Sequence, residues 1–401
     1  MQIDIESLST FNDLAHEGAT QATASLCQLT GIDARVNVTK IALMSREDVG
    51  DEFHGTDFVG VQIGFDGAME GETTLAFDAD HASRIVANML GEDHEEAMAR
   101  SSVKEIGNIM MSGFIDGWAN YLETTIDIAP PEYVAASGAA VLPDEFAANG
   151  EHIFVFKSQI EWIDRSVDFY IYMLPRYNAL LELMADQSDE GGDVIPVDKL
   201  TVFNQMTREG TSKAADNVSA MTGIETDAEV SRISFVPIHE VSAQVADDEY
   251  VGTAVELTGL PSGYLLILFD VPTGRTVAET MLPTDPGDEF GAMHESAIEE
   301  LGNIMTSGFI DGWANVLETP IEHTPPKFVR DMGSAIVDPF AAELGQTQEH
   351  AFLIESTMRT DAGSFACDIY ALPDEAELRQ TLRTLDVDRA DETEANVEEI
   401  F

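Results

Sequence analysis

Glu105–Thr124 reads EIGNIMMSGFIDGWANYLET, and Glu300–Thr319 reads ELGNIMTSGFIDGWANVLET. Seventeen of these 20 positions are identical at a constant offset of 195. The match extends outward in both directions. Pro130 and Pro131 answer to Pro325 and Pro326, EHIFVF (Glu151–Phe156) to EHAFLI (Glu349–Ile354), and Leu174-Pro175 to Leu372-Pro373. Upstream, LSTFND (Leu8–Asp13) answers to LTVFNQ (Leu200–Gln205) at an offset of 192, so a few loop insertions separate the copies. A period this long is a duplicated domain, because solenoid repeats run to about 20–50 residues.

The copies divide the chain at a break in composition. Residues 187–198 are acidic, with adjacent Gly191 and Gly192 and one proline, the composition of a linker. The expected layout is copy 1 over 1–186, the linker over 187–198, copy 2 over 199–385 and an acidic tail over 386–401. Each copy opens on a helix-like segment (Leu8–Thr30; Leu200–Thr222). Period-2 alternation follows at Val59–Phe65 and Gly71–Phe77, then at Val251–Leu257 and Gly263–Phe269. A short helix comes next (His81–Leu90; Thr273–Met281), then the long quoted helix, then a hairpin. The hairpins are Glu151–Trp162 with Ser166–Met173, and Glu349–Thr357 with Ser364–Tyr370. Clustered strands joined by short turns predict an α+β fold, an antiparallel sheet covered by long helices.

Charge narrows the setting. Lys plus Arg total 20 against 74 Asp plus Glu, a net charge of −54, and only six of the basic residues are lysines. Such an excess works against nucleic-acid binding, which needs cations to replace condensed counterions, and against anionic membrane surfaces. It is spread through periodic segments rather than gathered in a tail, so it reads as adaptation to salt. At 1 M the Debye length is about 3 Å and the mutual repulsion is screened. The chain therefore reads as cytoplasmic and halophilic. Cys27 and Cys367 stand too far apart in sequence for a disulfide framework or a zinc motif. No apolar run approaches the roughly 18 residues of a membrane span, and MQIDIESLST lacks the marks of a signal peptide.

At about 100° per residue, Ser101, Glu105, Asn108 and Ser112 share one stripe of the quoted helix. Val103, Ile106, Met110, Phe114 and Tyr121 centre on the other side. Ser296, Glu300, Asn303 and Ser307 repeat the stripe. An arbitrary stripe of this kind is a solvated helix face. Here Asn, a mediocre residue for a helix interior, recurs in both copies beside Gly107 and Gly302, each of which costs about 1 kcal/mol relative to Ala. Small residues beside a projecting amide suggest room for the close approach of another protein.

The stripe resembles the signature of the CheC/CheX/FliY phosphatases: Asp or Ser, three residues, Glu, two residues, Asn, 22 residues, Pro. Ser101, Glu105, Asn108 and Pro131 match it, as do Ser296, Glu300, Asn303 and Pro326. GETTLAFDADHASRIVANMLGED (Gly71–Asp93) is also similar to the strand and helix that precede the motif in that family. The resemblance covers roughly residues 5–185 and 198–385. It implies two tandem CheC-like domains, each built from two pseudo-symmetric halves able to carry the signature. The first halves depart from it. Ser9, Asp13 and His16 stand where Ser, Glu and Asn would, Thr39 replaces the proline, and copy 2 has Thr201, Gln205 and Arg208. These read as degenerate, inactive sites.

What the resemblance implies for chemistry is hydrolysis of the aspartyl phosphate on a CheY-type response regulator. Asn108 and Asn303 would orient the attacking water, and Glu105 and Glu300 would pair with the receiver's lysine. Mg2+ would belong to the receiver, leaving this chain without a cofactor or metal of its own. No Walker loop, HExxH or nucleophilic cysteine motif suggests another chemistry. Asp116 and Asp311, in the GFIDGW setting, read as structural. The resemblance also implies CheD as a further partner. The rival reading is a non-catalytic CheC-like module, an adaptor for CheD, CheY or the motility motor; two intact signatures argue against it.

Overall fold

The computed structural model describes residues 2–30, 34–45, 55–67, 70–91, 95–121, 124–143, 152–162, 165–167, 169–175, 194–223, 225–245, 248–282, 290–317, 319–359 and 366–385. It forms two compact units, one of Ile5–Gly192 and one of Asp193–Phe401 with Met1–Asp4. The first four residues join the second unit because β1 (Gln2–Asp4) pairs antiparallel with β10 (Val194–Pro196). Residues 187–193 of the expected linker and the tail 386–401 lie outside the described residues. The end of the expected linker is β10 and the start of a helix.

The first unit runs α1 (Ile5–Thr30), β2 (Ala34–Ser45), β3 (Asp57–Gly67), β4 (Gly71–Asp78), α2 (Ala79–Leu90), α3 (Glu96–Tyr121), β5 (Ile126–Ile128), β6 (Glu132–Ser137), β7 (His152–Trp162), β8 (Arg165–Val167) and β9 (Phe169–Pro175). In the second unit β10 leads to α4 (Val197–Thr222), β11 (Asp227–Pro237), β12 (Glu249–Gly259), β13 (Gly263–Asp270), α5 (Val271–Met281), α6 (Ala292–Leu317), β14 (Ile321–His323), β15 (Lys327–Met332), α7 (Gly333–Leu344), β16 (His350–Arg359), β17 (Ala366–Pro373) and α8 (Glu375–Thr384). The architecture is α+β. Each unit carries two 26-residue helices, α1 with α3 and α4 with α6.

The main sheet of the second unit is antiparallel in the order β12, β13, β17, β16, β11, with β14 and β15 in turn on the free edge of β12. In the first unit β3, β4 and β9 form the matching ladder, with β5 and β6 on the edge of β3, and β7 pairs β2. The hairpin expected after Glu151 is found in both copies. β16 pairs β17 and β7 pairs β8, and β9 pairs β4 as β17 pairs β13.

Both faces of the second sheet are covered, so β13 reads BiBBBBBi in burial rather than alternating. Leu266 and Leu268 pack with Ile336, Val337 and Leu344 of α7. Leu265, Ile267 and Phe269 point the other way, toward the long helices, and are equally buried. Each such side chain contributes about 1.5–3 kcal/mol. On that side Phe203 of α4 meets Trp313 of α6 at 5.1 Å, and Trp313 Nε1 donates to Thr207 Oγ1 at 3.2 Å. The short helices begin two residues before the sequence periodicity suggests. Asp78 caps α2 by accepting from Asp80 N at 2.9 Å, and Asp270 caps α5 by accepting from Thr273 N at 2.7 Å.

Candidate functional site

α3 and α6 carry the two signatures. On α3, Val103, Ile106, Met110 and Phe114 are buried, as the stripe requires, while Ser101 and Glu105 are exposed and Asn108 and Ser112 are half-buried. The side chain of Tyr121 lies outside the described ones. On α6, Ile298, Leu301, Met305 and Phe309 are buried beneath exposed Ser296, Glu300 and Ser307 and half-buried Asn303. Ser307 Oγ donates to the Asn303 carbonyl at 2.9 Å. That bond takes the backbone oxygen and leaves the carboxamide alone. Among the described residues neither asparagine side chain makes a hydrogen bond and neither signature glutamate enters an ion pair. The amides keep both donor and acceptor capacity for something outside the fold.

The glycines beside the asparagines do something other than the sequence suggests. Gly107 and Gly302 face inward, onto the sheet. A Cβ on Gly107 would lie 2.3 Å from Val61 Cγ2, and one on Gly302 would lie 2.2 Å from Thr253 Oγ1. They let each signature helix press onto β3 or β12, which fixes the depth at which the next residue, the asparagine, emerges. The expectation that they make room for a partner is corrected on this point.

The prolines come within reach of the same turn through strand register. Val61 pairs with Tyr133, and Thr253 with Phe328, so Pro131 and Pro326 stand two residues along the edge strand from the pairing beneath each glycine. β5 resumes as β6 after Ala129–Pro131, three residues set against Ile63 and Gly64. In copy 2, Thr324–Pro326 stand against Val255 and Glu256. That is one extra residue each time. A proline has no N–H for the ladder, and an edge bulge is where one fits. Two ties hold this edge to the helix. The Arg100 guanidinium lies 5.3 Å over the Tyr133 ring, and Phe328 N donates to Glu299 Oε1 at 3.3 Å. The 22-residue gap to the proline, opaque in sequence, is the path from the asparagine round to this bulge.

Two further outward residues extend each stripe. Met98 and Met293, three residues before Ser101 and Ser296, are 51% and 46% exposed. Sequence reasoning passed over them, although the spacing 98, 101, 105, 108, 112 holds the signal. At the other end Asp116 and Asp311 are exposed on the same face; the sequence reading set them aside as structural.

The degenerate positions lie on α1 and α4. His16 is exposed and Arg208 half-buried, while the side chains of Ser9, Asp13, Thr39, Thr201 and Gln205 lie outside the described ones. Among the described residues no group of three or more His, Cys, Asp or Glu is arranged to hold a metal ion, and no helix is long and apolar enough to cross a membrane.

Comparison with known proteins adds the following. The family model described as chemotaxis phosphatase CheX matches residues 59–154, and the CheC-like family model matches 293–330. A Halobacterium salinarum protein, provisionally named as CheY-P phosphatase CheC1, is 36% identical over 189 residues, 45% of this chain and 96% of that protein. Its source is consistent with the halophilic reading of the charge. CheY-P phosphatase CheC of Bacillus subtilis is 24% identical over 197 residues, 44% of this chain and 92% of its own length. Among solved structures, Thermotoga maritima FliY is 19% identical at a TM-score of 0.40, covering 46% of this chain and 96% of that one. A relative matched over nearly its whole length, and two signatures folded alike, make this chain a member of the CheC family.

Proposed function

We propose that the chain is a phosphatase for the aspartyl phosphate of a CheY-type response regulator, with one working site on each signature helix. The observation that carries this reading is the pair of uncommitted carboxamides, Asn108 and Asn303, on outward faces whose other sides are anchored in two cores. An acyl phosphate is already activated, so its hydrolysis needs chiefly a water held in line with the leaving carboxylate. Positioning is the main lever in phosphoryl transfer. A carboxamide accepts from the water with its oxygen and donates with its nitrogen, and can thus fix the water's orientation without itself changing charge.

Glu105 and Glu300, one turn before the asparagines, are the groups proposed to pair with the receiver's lysine and set the depth of insertion. Ser101, Ser296 and the two proline bulges support the same face. Met98 and Met293 give it an apolar rim. Mg2+ is assigned to the receiver, and this chain is proposed to need no cofactor. CheD remains a proposed second partner.

The test is phosphate release from a phosphorylated chemotaxis receiver in molar KCl. Asn108→Ala with Asn303→Ala should abolish the acceleration while each single substitution leaves part of it. An unaltered rate in the double variant would refute the mechanism. Saturable binding without acceleration by the wild-type chain would favour the adaptor reading.

A further inference from the structure

Copy 1 and copy 2 agree almost residue for residue along the signature, yet the charges around it are exchanged. At the same offset of 195, Arg100 answers to Glu295 and Lys104 to Glu299 on the helix flank. On the edge strand beside the asparagine the exchange runs the other way, from Glu132 to Lys327 and from Ala135 to Arg330. In a chain with 20 basic residues against 74 acidic ones, two of the six lysines stand on these two rims.

The fold puts these positions beside the signature. Arg100 and Lys104 lie eight and four residues before Asn108 on α3, and the Arg100 contact with Tyr133 shows that this flank faces the edge strand. Glu132 adjoins Tyr133, whose ladder partner Val61 meets Gly107. In copy 2 Glu299 accepts from Phe328 N, and Lys327 adjoins Phe328. All are exposed except Glu299, which is half-buried.

Internal pairing accounts for only part of the exchange. Arg100 bonds Glu96 on its own helix at 2.7 Å, and Arg330 bonds Glu249 on β12 at 2.9 Å and lies 5.6 Å over the Phe290 ring. Among the described residues no ion pair joins Lys104 to Glu132 or Lys327 to Glu299. Lys104 and Glu132 in copy 1, and Glu295 and Lys327 in copy 2, are thus reversed charges that face outward, around identical chemistry.

We propose that the two signature faces accept different receiver surfaces. The first prefers an acidic edge against Arg100 and Lys104. The second prefers a basic edge against Glu295 and Glu299, with the strand side reversed in each. This rests on the phosphatase reading and deepens it. The signature would set the rate of hydrolysis, and the rim would set which receiver, or which of its orientations, is bound. Molar salt, with a Debye length of about 3 Å, removes longer-range attraction and weakens even these short contacts. Each exposed pair is then worth the low end of its range, roughly 1.5-fold in affinity, so three pairs acting together shift KM by roughly threefold.

The test uses full-length chains with a single working signature, Asn303→Ala for the first site and Asn108→Ala for the second. KM and kcat are measured for one phosphorylated CheY-type receiver in molar KCl. The expected result is similar kcat with KM differing by roughly threefold. Adding Arg100→Glu, Lys104→Glu and Glu132→Lys to the Asn303→Ala chain should carry its KM toward that of the Asn108→Ala chain. Lys104→Glu alone, at an exposed position, gives a smaller shift in the same direction and guards against loss of fold in the triple exchange. Equal KM at the two sites, or an exchange that folds and leaves KM unmoved, would overturn the proposal while leaving the phosphatase reading intact. A wild-type chain that releases no phosphate would remove both.

Discussion

Gly107→Ala separates two explanations of the glycine beside the asparagine. If it were there for a partner's approach, the new methyl would face solvent, and the helix would gain about 1 kcal/mol from the better propensity of alanine. The structure predicts the opposite sign. The methyl would sit 2.3 Å from Val61 Cγ2 and 2.9 Å from Cγ1, more than 1 Å inside an ordinary carbon–carbon contact of about 3.5–4.0 Å. Overpacking of this kind costs about 1–3 kcal/mol. The upper end applies, because Val61 is fully buried and cannot move aside. Net of the propensity gain, the loss is about 2 kcal/mol, or roughly 4–8 °C in the Tm of a unit this size. To relieve the clash α3 must lift off β3 by about 1 Å, carrying Asn108 with it. A misplacement of that size costs about 100-fold in rate at the first site. The assay is calorimetric melting in molar KCl, with phosphate release measured in an Asn303→Ala background so that only the first site contributes. Val61→Ala is the control. It removes both methyls the new Cβ would strike, so the double variant should recover part of the rate lost by Gly107→Ala. A Gly107→Ala chain that melts higher and works normally would refute the packing argument.

Three other outcomes follow from features already described. Burial pushes the Cys367 thiol well above its usual pKa, whereas Cys27 is half-buried; a thiol reagent should label Cys27 in the folded chain and reach Cys367 only on unfolding, and equal labelling rates would contradict the core placement. Dialysis from molar KCl into dilute buffer should cost the chain its helical circular dichroism, since nothing then screens the net charge of −54; an equally heat-stable fold in dilute buffer would refute the salt reading. Titration with a receiver carrying a stable phosphoryl mimic should give a stoichiometry near two per chain, near one after Glu105→Lys and none after Glu300→Lys is added. A stoichiometry of four would show that the helices bearing His16 and Arg208 also dock.

The duplication, the helix faces and the sheet strands around them were legible because they rest on period and repetition. Val103, Ile106, Met110 and Phe114 announce a buried side whatever they pack against. What escaped was set by partners distant in sequence. Gly107 looks like an outward spacer until Val61, 46 residues earlier, is known to lie beneath it. The strands flanking Pro131 and Pro326 are too short to show alternation, so only ladder register reveals the bulge. α7 was missed because Pro339 interrupts a helical pattern, and its counterpart in copy 1 is only a 3-10 turn at Gly138–Val141. Charges swapped between the rims were visible as letters. Their meaning needed the fold to show that helix flank and edge strand stand side by side.

The central claim is that Asn108 and Asn303 do the same work on two equivalent faces. Its most direct measurement is the rate of phosphate release from a phosphorylated CheY-type receiver in molar KCl, compared among wild type, each single Asn→Ala variant and the double variant, with calorimetric melting recorded for all four. The account predicts acceleration by wild type, partial acceleration by either single variant, and the receiver's own rate with the double variant, at an unchanged Tm. Full acceleration by the double variant would contradict it.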